Sequence, residues 1–171
     1  MDIYVLVLRL LHIFGGVFWV GGTFLLAGYI EPTARAMGLD GGKFMQRFAG
    51  QSGFSQAMSV AAIANVVAGA LLYWHDSGGL QLTWMTTATG VMFTLGGLAG
   101  ITSAVIGAAI TGSASTKLAE VGKQIASAGG PPAPEKLAQV QALQDKLRQG
   151  GRINTVLMIV ALIGMSLARY L

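Results

Sequence analysis

Residues 3–30, IYVLVLRLLHIFGGVFWVGGTFLLAGYI, decide the fold. A helix needs about 20 apolar residues to cross the hydrocarbon core of a bilayer, and this run is longer. Inside it sit Arg9, His12 and Trp19. An arginine at the centre of such a helix costs about 2.5–3.5 kcal/mol on insertion scales, so ionisable groups there face a protein interior, a partner or a ligand. Arg9, His12, Gly16, Trp19 and Thr23 recur every three or four residues, which sets them along one side of a helix. The run has no basic stretch before it and is about twice the length of a signal-peptide core, so a membrane helix is expected rather than a cleaved leader.

The rest of the chain agrees. It is 53% hydrophobic and only 11% charged, with a mean hydropathy of +0.62, whereas a soluble domain carries about 25% charged residues. Further apolar segments lie at about 54–74, 83–110 and 153–170. Lipid-exposed backbone must satisfy its own hydrogen bonds, so each segment is read as a helix. The expected fold is all-α: one domain over 1–171, a polytopic four-helix membrane bundle. With no cysteine in the chain, disulfides, thiol catalysis and cysteine-based metal centres are excluded.

Charge gives an orientation. Of the 11 lysines and arginines, only Arg9 and Arg169 lie outside the first and third loops. Under the positive-inside rule, those two loops face the cytoplasm, and both termini and the 75–82 loop face outside. Tyr4, Tyr73, Trp74, Trp84 and Tyr170 then gather at the outer interface, as an aromatic belt does. The net charge of +4 is therefore a topology signal, and no nucleic-acid partner is expected. A bacterial inner membrane fits this pattern.

Glu31-Pro32 is expected to end or kink the first helix. Beyond it, Asp40 is placed to cap a short helix with Phe44, Met45 and Phe48 on one side and Lys43 and Arg47 on the other, either lying on the inner leaflet or forming a solvated loop. Residues 114–149 predict a cytoplasmic helical hairpin between helices three and four. Its arms carry the stripes Leu118, Val121, Ile125 and Leu137, Val140, Leu143, Leu147, and Gly129–Pro134 breaks the helix between them. The stripes serve to pack the arms together or to dock a partner. Gly96-x-x-x-Gly100, the glycine pairs of helix one, Asn65 and the threonines Thr83, Thr87 and Thr94 are the materials of close helix packing and interhelical hydrogen bonds. Such surfaces also suit other membrane subunits or a homo-oligomer.

The candidate site is His12. Roughly ten residues at 1.5 Å each put it about 15 Å deep, near the bilayer centre. His75, at the interface, does not match that depth. Met92 does, and a His/Met pair is a known haem arrangement, although methionine also serves simply to fill a core. Arg9, one turn outward, could neutralise a propionate or snorkel to the interface. Trp19 is too deep for the belt and packs on the glycines or on a planar ligand. His12 is thus a ligand for haem b or a metal, or a neutral imidazole bonded inside the bundle. No phosphate-binding Gly-Lys motif, H-E-x-x-H or intramembrane carboxylate pair is present, and no catalytic residue is assigned.

Leu11-His12 followed by Trp19-Val20-Gly21-Gly22 resembles the first helix of the copper-resistance-D-like bacterial membrane proteins. Glu31-Pro32-Thr33-Ala34-Arg35 and the second helix ending Tyr73-Trp74 are similar to an uncharacterised branch of that group. The resemblance implies a four-helix membrane bundle whose first-helix histidine meets haem or metal. The first helix also resembles that of the bacterial membrane protoporphyrinogen oxidase, which pairs its histidine with a lysine in a later helix. No lysine lies between Trp84 and Ile110, so that resemblance stops short of the oxidase's residue pair. Nor is there a His/Met-rich outer segment to collect copper. The resulting expectation is a haem-binding or redox accessory protein at His12; the alternative is a cofactor-free accessory or scaffold subunit.

Overall fold

A computed structural model describes Asp2–Leu171, apart from the side chains of Leu39, Ala49 and Gln51. The described residues form helices and turns with no strand. Helix α1 spans Ile3–Leu25, and a π-helical turn, Leu26–Ile30, leads without a break into α2, Glu31–Ala36. Helix α3 is Leu39–Gln51, α4 is Phe54–Asp76, and a single turn α5 is Leu82–Met85. Helix α6, Ala88–Ile106, passes through a second π turn, Gly107–Gly112, into α7, Ser113–Ser127. Helix α8 runs from Pro134 to Leu167. Four continuous helical stretches, Ile3–Ala36, Phe54–Asp76, Ala88–Ser127 and Pro134–Tyr170, are long and apolar enough to cross a membrane.

Three boundaries differ from the expectation. Of the two outcomes expected at Glu31-Pro32, an end or a kink, the first helix does not end there. Proline cannot donate the next helical hydrogen bond, and its ring crowds the carbonyl four residues back. The π turn immediately before Pro32 widens the helix there, so the chain remains helical through Ala36. Asp40 is not the cap of α3. Gly38 is, at φ +59°, a conformation glycine adopts at little cost. Asp40 pairs instead with Lys43 at 3.0 Å. The third membrane-length helix begins after Thr87, whose hydroxyl accepts from the Gly90 amide at 3.0 Å. Thr83 therefore belongs to the preceding turn and not to that helix.

The closest helix pairs are α1 with α4 and α6 with α8, and α4–α6 and α8–α1 contacts join the pairs into a bundle. The two pairs repeat one packing scheme. A Cβ on Gly15 would lie 3.2 Å from the Ala61 carbonyl and 3.5 Å from the Asn65 amide, and a Cβ on Gly96 would lie 3.2 Å from the Ala161 carbonyl and 3.3 Å from the Met165 amide. Counted from those two glycines, the π turns start at the same step, at Leu26 and at Gly107. The second arms correspond too, with Met58, Ala61 and Ala68 standing where Met158, Ala161 and Ala168 stand. Ala68 and Ala168 are both buried. The two hairpins run in the same direction, as in parallel-repeat membrane folds.

Beyond the bundle, α7 packs against the first half of α8. Ala114, Val121 and Leu143 form a buried cluster covered by Leu118, Ile125, Val140 and Leu147. Leu137, the outermost residue of the expected stripe, is half exposed and stands apart from it.

Candidate functional site

Small residues create the site. Gly15 and Gly16 on α1 let α4 approach until Asn65 lies against the α1 backbone, and a Cβ on Gly16 would lie 2.8 Å from the Asn65 amide nitrogen. Gly69, one turn further along α4, accommodates the imidazole. A Cβ there would lie 2.7 Å from Cε1 and 2.9 Å from Nδ1 of His12. Both contacts are closer than side chains tolerate, so a larger residue at either position would have to displace Asn65 or the His12 ring.

Two hydrogen bonds cross this contact. Asn65 Nδ2 donates to the His12 carbonyl at 2.6 Å, and His12 Nδ1 lies 2.9 Å from the Asn65 carbonyl. A carbonyl only accepts, so Nδ1 carries the proton. In the neutral ring, Nε2 then holds a free lone pair, and it has no hydrogen-bond partner among the described residues. Metal-ligating histidines are commonly oriented in this way, with the non-ligating nitrogen bonded to a carbonyl.

The other expected site residues are spread around His12 to differing effect. Arg9 is exposed, with no ion pair or hydrogen bond among the described residues. Trp19 is buried, and its carbonyl accepts from Thr23 Oγ1 at 2.9 Å. Met92 is half-buried on α6, where its carbonyl faces Gly164 of α8. His12 and Met92 thus belong to different helix pairs, and α1 and α6 are not among the closely packed elements. His75 stands at the far end of α4, 3.1 Å from Asp76.

Among the described residues, no three His, Cys, Asp or Glu side chains come together to hold a metal ion. A bare ion at His12 would need ligands from elsewhere. Haem brings four nitrogens of its own and asks only one or two of the protein.

At the positions corresponding to His12 and Asn65, the second hairpin carries Phe93 and Met165. Phe93 stacks on Trp84 with centroids 6.3 Å apart, and Trp84 in turn meets Tyr73 edge-on at 5.5 Å. At these two positions the second hairpin therefore carries no polar pair. Tyr73 also bonds Thr94 through its hydroxyl at 2.5 Å, joining α4 to α6. Tyr73 and Trp84 thus pack inward, while Tyr4, Trp74 and Tyr170 project outward.

A second polar seam escaped the sequence reading. Ser103 Oγ donates to Asn154 Oδ1 at 3.2 Å, with both residues buried between α6 and α8. The signal was available: Asn154 is the amide of the fourth apolar segment as Asn65 is of the second. No protein-family model, curated protein or solved structure matches the chain.

Proposed function

We propose that the chain is a small polytopic integral membrane protein that binds haem b, or serves as a redox accessory, through His12. The observation that carries this reading is the fixed tautomer of His12, which leaves the Nε2 lone pair unused deep in an apolar helix pair. The repeat adds support. Phe93 and Met165 occupy the corresponding positions in the other hairpin, so packing alone does not call for an imidazole and an amide. The resemblance of helix one to the copper-resistance-D-like proteins points the same way.

Haem iron, when bound, would pass single electrons between a donor and an acceptor. His12 would supply the protein ligand. Asn65, through its carbonyl, would hold Nδ1 and orient the ring. Arg9 would offer a cation to a propionate near the outer interface, and Met92 and Trp19 remain the further candidates for contact with the group. The termini and the 75–82 loop face outward, and the α7–α8 extension forms a cytoplasmic hairpin, by the charge bias of the loops. A bacterial inner membrane is the setting proposed.

One observation favours a second reading, a cofactor-free accessory or scaffold subunit. The His12 ring is wedged on Gly69 and bonded to α4 main chain, as a helix fastener would be. An absorbance spectrum separates the two. Protein expressed with ample haem should show a Soret band that disappears in His12→Ala and persists in Arg9→Gln. A colourless wild-type protein would overturn the haem reading and leave the scaffold.

A further inference from the structure

Helix α3 is left over by that account. A side chain at Gly41 would run into the Ala34 carbonyl, so α3 lies folded tightly against α2 at the end of the first bundle helix. Its aromatic residues make a continuous row. Phe44 and Phe48 stack at 5.8 Å, and Phe48 meets Phe54, the first residue of α4, at 4.7 Å. Lys43 and Arg47 flank the row, lining an open groove with Asp40, Phe44, Phe48 and Ser52. Lys43 is held by Asp40, and Arg47 is exposed with no ion-pair partner among the described residues. Beyond Ser52 and Phe54, a second shallow groove, mostly apolar, is lined by Phe18 of α1, Gly53, and Gln56, Ala57, Val60 and Ala61 of α4. Phe18 and Val60 are 46% and 61% exposed, on the part of the bundle that the membrane reading sets in hydrocarbon.

A groove at the level of the membrane surface, with two cations against the one carboxylate of Asp40, thus neighbours a largely apolar groove on the bundle. We propose that this is a binding site for one anionic glycerophospholipid of the cytoplasmic leaflet. Its phosphate sits at Arg47 and Lys43, its glycerol beside Phe44 and Phe48, and one acyl chain lies between Phe18 and Val60. Charge complementarity chooses the headgroup, since juxtamembrane cations draw anionic lipid. The exposed, largely apolar groove chooses a lipid over a free anion. The proposal rests on the membrane placement and is independent of haem.

The test is native mass spectrometry of the purified chain released from micelles containing phosphatidylglycerol and phosphatidylcholine with identical acyl chains. Wild-type protein should keep phosphatidylglycerol in preference. Lys43→Ala with Arg47→Ala should reduce that preference, by roughly fivefold for each cation removed. Val60→Trp, which fills the second groove, should lower retention of both lipids. Lys117→Ala with Lys123→Ala should leave the preference intact. Equal retention of the two lipids by the wild type overturns the site. So does an equal loss from the Lys117 and Lys123 variant, which would mean general surface charge. Competition by glycerol phosphate as effective as competition by the lipid would mean a headgroup-only anion site, and also overturns it. Both alanine variants replace exposed helical residues with the best helix former, and the wild-type comparison stands without them.

Discussion

Asn65 and His12 each bond the other's main chain, the amide nitrogen to the His12 carbonyl at 2.6 Å and the imidazole to the Asn65 carbonyl at 2.9 Å. Neither side chain needs the other. His12→Ala removes one bond and Asn65→Ala removes the other. Interhelical hydrogen bonds in membranes average about 0.6 kcal/mol, with a maximum near 1.7. Each variant should therefore lose an amount in that range in equilibrium unfolding from detergent, and the double variant should lose the sum to within about 0.5 kcal/mol. A larger coupling would mean that the side chains bond each other directly.

Gly69 should behave in the opposite way. An added methyl would lie 2.7 Å from Cε1 of His12, so Gly69→Ala forces the ring aside or the helices apart. Overpacking of this kind costs about 1–3 kcal/mol. The loss should largely vanish in a His12→Ala background, where the methyl has room. Persistence of the loss there would show that α4 requires glycine for a reason other than the ring.

How far these features could be read in the sequence depends on the scale at which they act. Hydrophobic run length is an average over many residues, so four membrane-length helices were legible, as was the meeting of Val121 and Leu143 across the α7–α8 contact. Local breakers were harder. Pro32 signalled an interruption, but the π turn over Leu26–Ile30 absorbed it, a backbone adjustment with no side-chain signature. Asp40 looked like a cap and became an ion-pair partner because Gly38 supplied a backbone that other residues avoid. His12 and Asn65 both stood out as polar residues in apolar runs, yet their pairing is a fact of helix rotation. The repeat was hidden because glycines, alanines and methionines mark its contacts while the residues around them have diverged.

The α7–α8 extension should open without disturbing the bundle. Val121 is 4% exposed in the cluster of Ala114 and Leu143, and a carboxylate there would be buried without a partner, a state proteins avoid at high cost. Val121→Asp should speed protease cleavage within 113–149 while the apolar core of the four long helices stays protected. If the wild-type segment is cut as fast as the variant, the cluster does not hold the arms together in solution.

Orientation can be read directly. Lys123 and Lys146 lie on the α7–α8 extension and Asp76 at the opposite end of the bundle, and the chain has no native cysteine to interfere. Cysteines at 123 and 146 should react with a membrane-impermeant maleimide only after cells are opened, and a cysteine at 76 in intact cells. Labelling of 123 or 146 from outside would reverse the proposed topology and remove the aromatic belt argument.

Thr111 carries the sharpest prediction about stability. Its hydroxyl is buried in the second π turn with no hydrogen-bond partner among the described residues. It faces Gly150 of α8, where an added Cβ would lie 2.9 Å from Oγ1. The corresponding residue of the first hairpin is Ile30. An unsatisfied buried hydroxyl costs about 1–3 kcal/mol. Valine keeps the shape of threonine and removes that cost, so Thr111→Val should raise stability by roughly 1 kcal/mol, read as a higher unfolding midpoint in detergent. Thr111→Ser keeps the hydroxyl and deletes a methyl, and should give no gain. A fall in stability for Thr111→Val would show that the hydroxyl does have a partner, such as a water held between α8 and the π turn.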